Sequence, residues 1–165
     1  MRPGFDLLKA DILAELGKID QLAAEFSLVE GLLDRAVEEV SNYDRGAIGY
    51  LLHSFYNGVE RIFRAIALFF ENELEPQTWH KDLLKRMTLE IPGFRPRVID
   101  PELYRLLDDF RGFRHIFRHS YSFELDWERE KLVAKRFVRT SERLKKNINE
   151  FLDSLDQFEE GLRKK

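Results

Sequence analysis

Residues 114–121 of this chain read RHIFRHSY, a segment rich in the side chains that act on phosphodiesters without a metal ion. A guanidinium offers a phosphate several fixed hydrogen-bond donors, and an imidazole exchanges protons near neutral pH. Arg114 and His119 are five residues apart, His115 follows the arginine, and Tyr121 follows the second histidine by two residues. The segment therefore predicts a phosphate site, with Arg114, His115 and His119 as candidate catalytic residues.

The helix that contains this segment is predicted to present a basic stripe beside its apolar face. Asp100 and Pro101 are favoured as N-cap and first helical residue, so we expect the helix to run from residue 101 to about 119–121. At about 100° per residue, the basic and titratable side chains fan out over one arc: Arg111, Arg114, His115, Arg118 and His119. No acidic residue interrupts them, and arginine without lysine favours phosphate contact, with Arg111 and Arg118 as candidate RNA-binding residues. The alternative is an ordinary solvated face.

Two further features bear on this stripe. His115 and His119 could share a metal ion with Glu124 or Asp126, but the neighbouring arginines would repel a dication, and we expect no metal and no cofactor. Arg95 and Arg97 flank a proline in the preceding loop. We expect these two arginines to extend the phosphate-binding surface; a solvated loop is the alternative.

Other polar residues are weaker candidates. Asn57, Glu60 and Arg61 could face the motif helix or make hydrogen bonds within the bundle. His53, on a densely apolar helix, is expected to be a satisfied buried or interface histidine. His80 could line a cleft, although a surface or capping role is favoured.

Composition favours a helical protein with one core. The chain has 165 residues, of which 44% are hydrophobic and 35% charged, and the 14 phenylalanines could fill a large buried face or a subunit interface. The lack of cysteine excludes disulfides and thiolate chemistry. No signal peptide or membrane span is visible, so we expect a cytoplasmic protein without a membrane partner. The net charge of −3 favours a local basic site over a wholly basic surface.

Apolar residues recur at steps of three and four, which is typical of amphipathic helices. We expect one domain over residues 1–165, an all-α, up-and-down bundle of about five helices with long first, second and last members. Asp44 is a plausible N-cap for the second helix, and a bend is expected in the first near Gly17 or Gly31. The predicted helices span residues 5–40, 46–74, 76–91, 101–121 and 126–163.

The segment resembles the motif of the HEPN superfamily of all-α ribonucleases: an arginine, a polar residue, three further residues and a histidine. Arg114, His115 and His119 match that pattern, and Tyr121 extends it to R-x4-H-x-Y. That longer motif is similar to the HepT branch, whose members are toxins of toxin–antitoxin pairs.

The resemblance implies a homodimer whose paired motifs line one cleft, cleaving RNA without a metal ion and leaving a 2′,3′-cyclic phosphate and a 5′-hydroxyl. Arg114 would bind the scissile phosphate, His119 would act as general base or acid, and His115 would assist. A minimal nucleotidyltransferase antitoxin, MntA-like, would attach AMP to Tyr121. RNA is the expected nucleic acid, and DNA is not.

Two other interpretations remain open. In the first, the chain is a non-catalytic HEPN module whose arginines bind a nucleotide or RNA; Arg118 favours this, because an aliphatic residue usually precedes the motif histidine. In the second, the bundle is purely structural and has no affinity for phosphate.

Overall fold

A computed structural model describes residues 3–71 and 79–164 as an all-α bundle. Four long helices dominate it: α1 (Pro3–Val29), α2 (Asn42–Glu71), α4 (Pro101–His119) and α6 (Phe137–Arg163). Two short helices, α3 (Trp79–Arg86) and α5 (Trp127–Ala134), lie in the connections, and no β-strand occurs in the described ranges. The predicted fold class and the long first, second and last helices are confirmed. The predicted start of the third helix at Pro76 lies outside the described residues.

The long helices alternate in direction, as contacts between their ends show. Phe5 near the start of α1 packs against Phe69 near the end of α2, with ring centroids 5.0 Å apart. The ring of Phe137, at the start of α6, packs against Phe26 at the end of α1, 4.5 Å between centroids. Arg136, just before α6, forms an ion pair with Asp109 of α4, while Arg143 further along α6 binds Asp100 at the start of α4. The helices therefore run up, down, up and down around one apolar core.

The segment between α1 and α2 is where the expected bend occurs. α1 continues through Gly17 and ends at Val29, after which a 3-10 turn spans Glu30–Asp34 and a second spans Val37–Glu39. The N-cap of α2 is Ser41 and not the predicted Asp44. The Ser41 hydroxyl accepts from the Asp44 amide at 3.1 Å and the Asp44 carboxylate accepts from the Ser41 amide at 3.1 Å. This reciprocal pair of hydrogen bonds satisfies two exposed amides. The helix therefore starts at Asn42, four residues before the predicted start at residue 46.

The last predicted helix is divided at Lys135 and Arg136. Trp127 of α5 and Phe137 of α6 are both buried, at 4% and 0% exposed. The ring of Phe137, the first residue of α6, packs against the ring of Phe55 with 5.1 Å between centroids.

α3 ends at Arg86, five residues before the predicted end, and the following loop folds back on the helix. The backbone turns at Gly93, where φ is +73°, a value that glycine adopts without strain. This turn lets the Ile91 amide donate to the Arg95 carbonyl at 2.9 Å. The Arg95 guanidinium donates to the Arg86 carbonyl at 3.0 Å, so it occupies the carbonyl end of α3.

Asp100 joins α4 to α6. Its carboxylate accepts from the Leu103 amide at 2.8 Å, the N-cap bond that was predicted, and from two nitrogens of Arg143 at 3.2 and 2.8 Å. Asn147 adds a bond at 3.2 Å. Burial tends to raise the pKa of Asp100, but the hydrogen bonds from Arg143, Leu103 and Asn147 outweigh it, and the pKa is lowered. No helix in the described part of the chain is long and apolar enough to cross a membrane.

Replacing Asp100 with alanine should lower the free energy of unfolding by about 2 kcal/mol, since an N-cap and a charged partner are lost together. Asp126→Ala is the matched control. It removes the N-cap of the short α5. The Asp126 carboxylate accepts from the Glu128 amide at 3.0 Å and lies 3.7 Å from the exposed Arg129, so the change should cost about 1 kcal/mol or less. Urea denaturation followed by circular dichroism measures both; equal losses would contradict the role given to Asp100.

Candidate functional site

The motif arginine is held between α4 and α2. Arg114 is 6% exposed, and its Nη1 donates to the Glu60 carboxylate at 2.5 Å and to the Asn57 amide oxygen at 3.0 Å. The Tyr56 ring lies 5.0 Å from the guanidinium carbon, within the range of a cation–π contact. Burial, followed by the negative charge of Glu60, raises the pKa of Tyr56, so its phenolic hydroxyl stays protonated. These contacts fix Arg114 at the base of the site.

His53 continues this set of contacts along α2. Its Nε2 lies 3.0 Å from the Asn57 amide nitrogen, and its ring packs against Phe117 at 5.3 Å. Burial, then the charges of Arg114 and Arg118, lower the pKa of His53, so its imidazole is neutral at neutral pH. His53 is half-buried, and its Nδ1 has no hydrogen-bond partner among the described residues. The predicted satisfied histidine is therefore satisfied at only one of its two nitrogens.

The other motif residues lie on the outside of α4. Arg118 and His119 occupy its last turn, and both are exposed, as is His115 one turn earlier. The rings of His115 and His119 lie 4.8 Å apart. Within one protomer the two predicted catalytic residues Arg114 and His119 are therefore separated. Arg114 is turned toward α2, and His119 is turned to solvent. Five residues of helix separate them by about 140° around the axis and about 7.5 Å along it.

The remaining predicted arginines are spread over the molecule. Arg111 is next to the site but forms an ion pair with Asp108, with 2.7 Å between nitrogen and oxygen. Arg95 has a side-chain exposure of 0% and binds Glu71 at 3.4 Å, so it stabilises the loop and does not extend the basic stripe. Arg97 is exposed at a pocket against α6, lined also by Glu150. Because this pocket lies near the start of α4, some 27 Å of helix separates Arg97 from His119.

A surface pocket of about 200 Å³ lies over the residues that hold Arg114. It is lined by Asn57, Glu60, Arg61 and Arg64 of α2. Arg61 is largely exposed and lies 3.9 Å from Glu15 of α1. The pocket gives solvent access to the partners of the buried arginine and adds two cations that come from α2.

Phe117 forms the apolar floor between the motif and α5. A Cβ added at Gly49 would lie 2.7 Å from Cε2 of Phe117 and 3.0 Å from Oε1 of Glu130, so the glycine permits this close packing. Glu130 is 1% exposed, and its carboxylate faces Gly49 and Arg45 of α2. Burial raises the pKa of Glu130 to about 8, and the charge of Arg45 and the backbone amide of Gly49 lower it only in part.

Tyr121 begins a tight turn directly after α4. The ring is 71% exposed and stacks on that of Phe123, itself 72% exposed, with 5.4 Å between centroids and an interplanar angle of 3°. The hydroxyl of Tyr121 is therefore on an accessible side chain. Among residues 3–71 and 79–164, no three histidine, aspartate or glutamate side chains are grouped closely enough to hold a metal ion.

A family model described as HepT-like protein matches residues 47–155, about two thirds of the chain. The chain belongs to the HepT-like family. The matched region includes α4 and the whole R-x4-H-x-Y motif, which places this protein in the HEPN superfamily, whose members are typically ribonucleases. No curated protein and no solved structure matches the chain.

The sequence predicted only some of the residues that α2 contributes to the site. Asn57, Glu60 and Arg61 were candidates to face the motif helix, and the first two bind Arg114. Arg64 was not anticipated. The available signal is the spacing of four polar residues at 57, 60, 61 and 64 in the otherwise apolar stretch 55–70, which places them on one face. The side chain of His80, the other weak candidate, lies outside the described residues.

Glu60→Gln should lower the free energy of unfolding by about 3 kcal/mol, because it removes the carboxylate charge that pairs with the buried Arg114 cation. Asp108→Asn is the control: it removes the carboxylate that pairs with the more exposed Arg111 on the same helix, and it should cost less than about 1 kcal/mol. Chemical denaturation at neutral pH measures both losses. Similar values for the two variants would show that the Glu60 pair is no more desolvated than the Asp108 pair.

Glu130→Gln should stabilise the protein at higher pH. As pH rises, the unfolded carboxyl ionises near its usual value of 4.5, while the folded one stays protonated until about 8, so wild-type stability falls across that window. The loss approaches roughly 1.4 kcal/mol per unit of pKa difference as an upper bound. Unfolding measured at about pH 5 and about pH 8 should show a smaller decrease for Glu130→Gln than for wild type. Glu128→Gln, at an exposed position of the same helix, should not reduce the decrease.

Proposed function

We propose that this protein is a HepT-like toxin that acts as a metal-independent endoribonuclease. The observation that carries the proposal is the arrangement of the family motif: Arg114 fixed by Glu60 and Asn57, with His115 and His119 exposed on the same helix. Cleavage by the ribose 2′-hydroxyl needs no external nucleophile, only a cation for the phosphate and groups that exchange protons, and the motif supplies both kinds of group.

In this reaction the 2′-hydroxyl oxygen attacks the adjacent phosphorus, and the bond from phosphorus to the 5′ oxygen breaks. His119 accepts the proton of the hydroxyl, and the leaving oxygen takes a proton from a second imidazole, for which His115 is the candidate. The products are a 2′,3′-cyclic phosphate and a 5′-hydroxyl. Negative charge builds on the phosphoryl oxygens in the transition state, and Arg114 stabilises it.

The division between Arg114 and His119 within one protomer supports a dimeric site. The arginine is turned toward α2 and the pocket lined by Asn57 and Arg61, while the histidines face outward. A second subunit packed against this face would close the cleft over the motif and bring histidines opposite the pocket. Exposed apolar side chains near the motif, Ile116 at 44% and Tyr50 at 62%, are consistent with such a contact.

The proposed antitoxin is a minimal nucleotidyltransferase that transfers AMP to Tyr121. In that transfer the phenolic oxygen attacks the α-phosphorus of ATP, diphosphate leaves, and the phenolic proton is released. The exposed ring of Tyr121 suits an enzyme that must reach its hydroxyl. An added nucleotide would place negative charge beside Arg118 and His119 and repel RNA from the cleft.

His119→Ala should lower RNA cleavage by at least ~100-fold, because general acid–base transfer is lost while the exposed position leaves folding unchanged. Arg114→Lys should produce a comparable loss, since an ammonium cannot reproduce the guanidinium contacts. Cleavage of a labelled single-stranded RNA, with product ends mapped, is the measurement. Arg35→Ala, an exposed cation outside the α2–α4 surface, is the control. Intact RNA with the wild-type dimer, or full activity in His119→Ala, would refute the enzymatic proposal.

A second candidate is a non-catalytic module that binds nucleotide or RNA. The burial of Arg114 and its bonds to Glu60 and Asn57 favour it, because a phosphate must compete with a carboxylate for the same guanidinium. Arg118 directly before His119 points the same way, as it adds a cation where the motif usually has an aliphatic residue. Saturable binding of RNA without cleavage, weakened by Arg114→Lys, would select this function.

A further inference from the structure

The turn after α4 carries two exposed aromatic rings that the proposed chemistry does not use as a surface. The planes of Tyr121 and Phe123 are nearly parallel, with an interplanar angle of 3°, and each side chain is more than 70% exposed. A contiguous pair of exposed aromatic rings offers an apolar surface that a ligand or a partner can cover.

The turn is held rigid by its own hydrogen bonds. The Tyr121 amide donates to the Glu124 carboxylate at 3.2 Å, and the Glu124 amide donates to the Tyr121 carbonyl at 2.9 Å. This reciprocal pair fixes the 3-10 turn Ser122–Glu124 in the manner of a capping box. The backbone that carries both rings is therefore ordered before anything binds, which lowers the entropy cost of stacking a further planar group on them.

Charge next to the rings identifies the occupant. Arg118 and His119 in the last turn of α4 lie three and two residues before Tyr121, and both are exposed. An aromatic surface beside cations matches a nucleotide, whose base is planar and whose phosphate is anionic. An aliphatic protein segment would use the rings but leave these charges unmatched.

We infer that Tyr121 and Phe123 form a stacking platform for one unpaired RNA base next to the phosphate bound at the motif. This inference rests on the proposed function and gives it a substrate class: single-stranded RNA, or a loop whose base can leave its stack. A base in a duplex is already stacked on both sides and cannot use the platform without unpairing.

Binding measurements in a His119→Ala background, which removes turnover, test the platform. The probes are a fluorescein-labelled single-stranded RNA of about ten nucleotides and the same backbone with abasic sites. Phe123→Ala should weaken binding of the intact RNA by ~10-fold or more and leave binding of the abasic RNA nearly unchanged, since stacking of one base contributes about 1–3 kcal/mol. Phe123→Trp should preserve affinity, and binding should quench the fluorescence of the new indole.

The matched control is Leu28→Ala, which removes another exposed apolar side chain, 85% exposed, at the end of α1. It should change neither affinity. Equal weakening of intact and abasic RNA by Phe123→Ala would overturn the platform, and so would unchanged RNA binding with a loss of dimer in light scattering. The latter result would assign the rings to a subunit contact. Failure of the His119→Ala protein to bind any RNA would instead remove the proposed function itself.

Discussion

The ion pair between Arg114 and Glu60 is the constraint on which the arrangement of the site depends. It joins the motif helix α4 to the central helix α2, and both side chains are almost removed from solvent. A cation and a carboxylate in such a place must meet each other, because either one alone would be a strongly unfavourable buried charge. Sliding or rotating α4 by one residue would separate them, so the pair fixes the register of the two helices. That register determines which motif residues face outward.

A buried pair of this kind adds little net stability compared with apolar residues of similar size, so its value here is positional. Asn57 and Tyr56 complete the surroundings of the guanidinium, and Asn57 also binds His53. The positive charge of Arg114 is thus held at one place between the helices, and its field acts on its neighbours: it contributes to the lowered pKa of His53. The histidines of α4 face away from this fixed charge, and their side chains are exposed to solvent.

Much of this was accessible from the sequence, for physical reasons that differ from element to element. The four long helices follow from apolar periodicity, and the start of α4 from an Asp–Pro pair with strong local preferences. The motif was found because its chemistry is concentrated in eight consecutive residues. The division of α5 from α6 was not predicted because no proline or glycine marks it. The role of Arg95 was misjudged because local sequence shows a basic loop, whereas its partner Glu71 lies 24 residues earlier.

Gly49 limits which amino-acid substitutions this part of the bundle can tolerate. The space of one methyl group at that position is already taken by the edge of the Phe117 ring and by the Glu130 carboxyl. Alanine at position 49 alone would collide with the Phe117 ring, and a smaller side chain at position 117 alone would leave a void. The two changes are therefore compatible only in combination. Substitutions at positions 49 and 117 should therefore occur together within the family. A change at position 49 alone would force the apolar packing around Phe117 to rearrange.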